Sequence, residues 1–181
     1  LMKILMGIYE ADEGTVTFKG KLLRGHRNVR ETMDVGISMI HQELASFSQM
    51  TIAENIYLNR EPGKGLFVDD AQMNQDTIEL FERIGMDINP NTKMRDITTA
   101  YAQMVEIARA ISLNADLIIM DEPTSAITDK EVEMLFNVIR RLRDEGRSII
   151  YITHKMDEIF KIADEITVLR DGQFVGAKPI S

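Results

Sequence analysis

The 181-residue sequence contains no cysteine. Disulfides and thiolate metal sites are excluded, and the composition fits a reducing compartment. Tryptophan is absent as well. No apolar run reaches the roughly 20 residues that a bilayer-spanning helix needs, and no signal peptide is visible. Positive charge is in short supply: 21 Lys and Arg stand against 29 Asp and Glu, a formal net charge of −8. The pI is near 4.9. A nucleic-acid binder would present a basic face, so nucleic acid is a poor partner for this chain. The phosphate-cradling pattern G-x-x-x-x-G-K-[ST] is also missing. Gly63-Lys64-Gly65 has neither its spacing nor the following Ser or Thr.

What is present is ordinary for one globular domain with a core: 44% hydrophobic and 28% charged residues. Twelve methionines are many. They read as adaptable core filler, although Met50, Met94 and Met104 flank a middle third that could also face a partner.

The most informative stretch is Leu117-Ile-Ile-Met-Asp-Glu-Pro-Thr-Ser-Ala-Ile-Thr-Asp129. Leu117 to Met120 reads as a buried strand, and Pro123 ends its ladder. A parallel strand with acids at its carboxyl end is how open α/β sheets present a Mg²⁺–phosphate site. Neighbouring strand residues point to opposite sides, so Asp121 and Glu122 take different roles. One is expected to hold metal through water, the other to face an attacking water.

Elsewhere, Leu1, Ile4, Leu5 and Ile8 follow helical spacing with no cap before them. A helix already under way places the missing cradle just upstream of Leu1. Thr15 to Phe18 reads as a strand before a Lys19-Gly20 turn, residues 21–34 as basic and irregular, and Val35 to Ile40 as a strand ending at His41-Gln42-Glu43. Residues 45–112 read as helical. Thr51-x-x-Glu54 is a capping box, and Ile78, Phe81, Ile84 and Met86 mark an amphipathic helix ending near Gly85. Met104, Ile107, Ala108 and Ile111 mark another. Thr128-x-x-Glu131 caps a helix with Val132, Leu135, Phe136, Ile139 and Leu142 on one face, closed by Gly146. Ser148 to Thr153 reads as a second buried strand running into His154. A short helix carries Met156, Ile159, Phe160 and Ala163, and a hairpin turns at Asp171-Gly172. The order is α/β, helical insertion, α/β, with the two α/β pieces sharing one sheet.

In this combination the chain resembles ABC-type ATPases along essentially its whole length. Leu117 to Thr128 resembles their Walker B strand and D-loop, His41-Gln42-Glu43-Leu44 their Q-loop, and Tyr151-Ile-Thr-His154 their switch-histidine strand. Leu1 to Ile8 is similar to the helix after the Walker A loop, and Met104 to Ala110 to the helix after the signature. Thr51 to Leu58, Asp121 to Thr128 and Val168 to Gly172 resemble the N-terminal ATPase half of monosaccharide (ribose/galactose-type) importers.

The resemblance implies a P-loop NTPase (RecA-like) α/β core, residues 1–44 and 113–181, with a helical signature subdomain at 45–112, truncated at its N-terminus within a single domain. It implies an ATP-hydrolysing subunit, using ATP and Mg²⁺, that powers import of a simple sugar. Its partners would be a second ATPase half, transmembrane permease subunits and, indirectly, an external sugar-binding protein. Its place would be the cytoplasmic face of the membrane. Glu122 and His154 would be catalytic. Asp121 and Gln42 would hold the metal, with Gln42 also sensing nucleotide. Ser125, Ala126 and Thr128 would line the interface with the second half. The signature aligns with Ile97-Thr-Thr-Ala-Tyr101, a departure. Thr98 keeps a hydroxyl for a γ-phosphate, but Thr99 and Ala100 replace glycines and Tyr101 replaces an amide. Two readings stay open here: family drift, which is favoured, or a half that binds ATP and hydrolyses it poorly. Without its cradle the isolated chain is expected to bind ATP weakly and to be inactive. The alternatives are a soluble ABC ATPase of the translation or DNA-repair type, for which no basic linker or coiled coil is seen, and a non-hydrolytic regulatory module.

Overall fold

Strand β6 (Leu117–Asp121) is the middle of a three-stranded parallel sheet, between β3 (Ile37–Ile40) and β7 (Ser148–Ile152). The computed structural model describes residues 1–23, 28–40, 46–64 and 67–180. Before β6 come α1 (Met2–Leu5), the hairpin β1 (Val16–Phe18) and β2 (Lys21–Leu23), α2 (Val29–Asp34) and β3 (Ile37–Ile40). Next are α3 (Ile52–Tyr57), a short hairpin β4 (Gly63–Lys64) and β5 (Phe67–Val68), α4 (Asp70–Ile84), a 3₁₀ turn at Met94–Asp96 and α5 (Thr99–Ser112). After β6 come α6 (Asp129–Asp144), β7 (Ser148–Ile152), α7 (Met156–Ile162) and the hairpin β8 (Glu165–Arg170) and β9 (Gln173–Pro179).

The sheet joins the two α/β pieces, as expected. Ile37 pairs with Leu117 and Ile40 with Met120, while Leu117 pairs with Ser148 and Asp121 with Ile152. Parallel strands end together, so Ile40, Asp121 and Ile152 lie along one edge. The period of two splits β6 between two apolar clusters. Ile118 and Met120 join Phe81, Met104, Ile107, Leu135 and Phe136 beneath the helices. Ile119 joins Met6 and Ile37 on the opposite face, packed by Leu5, Phe18, Ile150 and Ile152. A strand buried on both faces needs a continuous apolar run, which Leu117 to Met120 supplies.

Several expectations are corrected. The opening helix stops at Leu5, because Gly7 takes φ 72° and the N–H groups of Gly7 and Ile8 close back on Ile4 and Lys3. Within 21–34, read as irregular, the described residues form β2 at Lys21–Leu23 and α2 at Val29–Asp34. Lys19 and Gly20 both take positive φ, turning the chain into β2, and the Asn28 side chain caps α2 by accepting from the Glu31 N–H at 2.9 Å. Ile78 is exposed, while α4 buries Phe81 and Ile84 as expected, and Met73, Thr77 and Leu80 besides. Met94 and Met104 are core residues and cannot face a partner. Strand β7 is only half-buried, since a single described strand pairs with it. On α7, Met156 and Phe160 are exposed while Glu158 is buried.

Gly36 is a glycine on which the sheet depends. It sits at φ 96°, and a Cβ there would lie 2.7 Å from the Asp116 carboxylate. Its carbonyl accepts from the N–H groups of both Asp116 and Leu117, setting the register of β3 on β6.

Candidate active site

The edge where the parallel strands end brings Asp121, Glu122 and His154 into one neighbourhood. Asp121 is the last residue of β6, half-buried, and its carboxylate makes no hydrogen bond or ion pair among the described residues. Glu122 does not continue the strand. Its backbone takes φ 46°, while its N–H still donates to the Ile152 carbonyl at 2.9 Å. A left-handed non-glycine residue costs of order 1–3 kcal/mol. Here a ladder bond before the bend and the Ser125 N–H closing on the Glu122 carbonyl at 3.2 Å hold the conformation. The bend, rather than strand alternation, separates the two acids.

His154 follows β7 by two residues. Its Nδ1 lies 3.0 Å from Glu122 Oε1. A carboxylate only accepts, so Nδ1 carries the proton in this contact. The imidazole is 73% exposed and the Glu122 side chain 33%, so both are open to a ligand arriving at the edge. Gln42, expected beside them as a metal and nucleotide ligand, lies outside the described residues.

Beneath the pair is a group that sequence reasoning missed. Glu158 is 7% exposed. The Thr124 hydroxyl donates to it, 2.8 Å from Oε1 and 2.9 Å from Oε2. Tyr151 donates to Oε2 at 2.8 Å, Thr153 does so at 3.3 Å, and the Lys155 ammonium lies 3.2 Å from Oε1. Lys155 also donates to the Thr124 carbonyl at 3.0 Å. Burial pushes the Glu158 carboxyl up, but the bonds from Tyr151, Thr124 and Lys155, with the Lys155 charge, bring it below the usual carboxylate range. Burial and the bond to Glu158 raise Tyr151, which therefore remains a donor. Local sequence gives no signal for this, because Asp157-Glu158 is an ordinary acidic first turn.

The remaining expected residues flank this edge or lie apart from it. Ser125 and Ala126 are exposed on the turn after Glu122. Thr128 gives its N–H, at 2.9 Å, and its hydroxyl, at 2.8 Å, to Glu131 Oε2. Thr98 caps α5 and donates to Glu131 Oε1 at 3.3 Å. One carboxylate thus ties the start of α5 to the end of the Ser125 turn. Hydrogen bonds from Thr128 hold Glu131 below the usual carboxylate range, and the bond from Thr98 adds to them. Thr99 is exposed, Ala100 is 2% exposed, and Tyr101 packs partly into the core. The Ala100 side chain is therefore committed to packing, Tyr101 is half-buried, and the Tyr101 N–H is taken by the Thr98 hydroxyl.

Comparison with known families matches residues 1–125 to the ABC transporter family. The chain belongs to that family. It is 56% identical, over all of its length, to the "Putative ribose/galactose/methyl galactoside import ATP-binding protein 1" of Rhizobium etli. Over the same span it is 46% identical to the galactose/methyl galactoside import ATP-binding protein MglA of Escherichia coli K12. The chain spans 36% of the length of each of these relatives. Among solved structures it resembles a nucleotide-free ATP-binding cassette from an ABC transporter, with a TM-score of 0.81 at 21% identity, covering 99% of this chain and 75% of that one. A dimeric cassette in a post-hydrolysis state, bound to ADP and Pi, matches with a TM-score of 0.80 at 19% identity over 99% of this chain and 79% of that one. The α/β P-loop NTPase fold of ABC cassettes is therefore the fold of this chain.

Proposed function

We propose that the chain is part of an ATP-hydrolysing subunit that drives import of a simple sugar, with its chemistry at the Asp121–Glu122–His154 edge. The observation that carries this is Glu122, held in a left-handed bend with one carboxylate oxygen against His154 Nδ1 at 3.0 Å. The other oxygen is left for a water. Glu122 takes that water's proton as its oxygen bonds to the γ-phosphorus and the bond to the ADP oxygen breaks. With Nδ1 turned to Glu122, the His154 ring leaves Nε2 to face a phosphate oxygen. That direction suits an anion building up at the γ-phosphate.

Among the described residues no group of three or more His, Cys, Asp or Glu could hold a metal ion. The donor set instead offers one open carboxylate at a strand end, Asp121, which fits Mg²⁺, an ion that keeps most of its waters and binds through one or two carboxylates plus substrate phosphates. Bound there, Mg²⁺ would neutralise phosphate charge. Gln42 is proposed as its second protein ligand.

The import reading rests on relatives named as import ATP-binding proteins. A simple-sugar cargo, the permease, a second ATPase half carrying the complementary signature, and residence at the cytoplasmic membrane face follow from it. Among the described residues no helix is long and apolar enough to cross a membrane, so on this reading the pore belongs to other subunits. Ser125, Ala126 and Thr128 are proposed at the contact with the second half. Residues 45–112 are proposed as the helical subdomain that includes Thr98 to Tyr101.

The test is Glu122→Gln in the intact protein. Phosphate release is expected to fall by about 10²–10⁴-fold, the usual worth of a positioned base, with nucleotide affinity retained. Undiminished release would refute the role.

A further inference from the structure

We infer that Glu158 is the positioning residue that sets Glu122 against His154. This rests on the hydrolytic reading above and adds a group that touches neither water nor phosphate.

The argument is geometric. Glu122 and His154 stand on two separate connections, the turn after β6 and the loop after β7. His154 is exposed and Glu122 half-buried, and their side chains meet at the tips. One layer down, Glu158 joins the same two connections. Thr124, two residues beyond Glu122 and 2% exposed, gives it a hydroxyl from the first. Thr153 and Lys155, the residues on either side of His154, reach it from the second. Tyr151 ties it to β7, and its ring meets Phe136 edge-on at 6.2 Å, anchoring the group to the core. Lys155 closes the loop by donating to the Thr124 carbonyl.

Two carboxylate oxygens offer about four lone-pair sites, and four side chains use them. A neutral or a shorter side chain serves these donors less well. A glutamine turns one oxygen into an NH₂ donor that faces either hydroxyls or the Lys155 ammonium. An aspartate is one methylene short of spanning Thr124 and Tyr151 together. Loss of the clamp removes the shared acceptor and leaves the Lys155 bond to the Thr124 carbonyl and the Glu122–Ile152 bond to hold the turn against the loop, so the turn is positioned less closely. Misplacement of a reacting group by about 1 Å can cost about a hundredfold in rate, and nucleotide affinity is expected to stay as it is.

The experiment measures kcat and KM for ATP in the intact protein carrying Glu158→Gln, Glu158→Asp or Tyr151→Phe, alongside Glu122→Gln. In Glu158→Gln, kcat is expected to fall by about tenfold to a hundredfold with KM unchanged. Glu158→Asp should recover part of this. Added to Glu122→Gln, the Glu158 change should cost nothing further, since a group that acts only through another has no effect once that other is gone. Unchanged kcat in a folded Glu158→Gln overturns the inference, and so does a fall in kcat that merely tracks lost folded protein. If Glu158→Gln does not fold, Tyr151→Phe decides, because it deletes one donor and no charge. A fall in kcat at constant KM supports the clamp, and none refutes it. If Glu122→Gln itself hydrolyses ATP normally, the hydrolytic reading has failed, a result separate from all of these.

Discussion

At the scale of single residues, Glu158 makes acid stability a local measurement. Its folded-state pKa lies below the ordinary value, because the hydroxyls of Tyr151 and Thr124 and the Lys155 ammonium outweigh burial. A depressed carboxyl stabilises the fold fully above its unfolded pKa of about 4.3, and that contribution fades as pH drops through the folded value. Urea midpoints of the wild type between pH 7 and pH 3 should therefore fall more steeply than those of Glu158→Gln. Parallel curves would show that the contribution comes from elsewhere. The same residue marks the limit of what the sequence disclosed about the site. Asp121, Glu122 and His154 were legible, because an apolar strand ending in acids and another ending in histidine leave few places for them. The bend at Glu122 was not legible: its φ of 46° comes from the Ile152 and Ser125 bonds, one of them long-range. Glu158 was invisible for a related reason, since its partners at 124 and 151 become neighbours only when β6 and β7 pair.

At the scale of elements, caps identified helices more reliably than composition did. The Thr51 hydroxyl oxygen accepts from the Glu54 N–H at 3.2 Å, and the Glu54 carboxylate accepts in turn from the Thr51 N–H at 2.6 Å. Helix α3 has only six residues, too few to stand on propensity, and its apolar residues Ile52 and Ile56 are fully buried. Thr51→Ala should cost about 0.5–2 kcal/mol, read as a lower urea midpoint with an unchanged slope. No change would mean that burial alone holds α3. The Asn28–Glu31 pair is the same device in a weaker setting. It lies in a segment read as basic and irregular, where α2 buries only Thr32 and leaves no apolar stripe to find. Strands β2, β4 and β5, of two or three residues each, are too short for alternation to register. The long elements, β6, α6 and the β8–β9 hairpin, were legible because their patterns run over full periods.

At the scale of the whole molecule, the helical stretch and the sheet do not have separate interiors. One cluster holds Ile52 and Ile56 of α3, Phe81 of α4 and Ile107 of α5. It also holds Ile118 and Met120 of β6 and Leu135 and Phe136 of α6. Phe136 is fully buried, and its ring contacts Tyr151. Truncating it should therefore weaken elements that are far apart in sequence. Phe136→Ala is expected to cost about 3–5 kcal/mol, the usual range for a buried phenylalanine. The informative readout is where the loss falls. Native-state hydrogen exchange should show the amides of α5 and those of β6 losing the same protection, because opening either one uncovers the shared cluster. If β6 weakens while α5 keeps its protection, the helices form a unit of their own, and any closing motion at the Glu122–His154 edge would not be felt by them. Equal loss means that Thr98, at the start of α5, and Glu122, at the end of β6, belong to one cooperative body joined through the core as well as through Glu131.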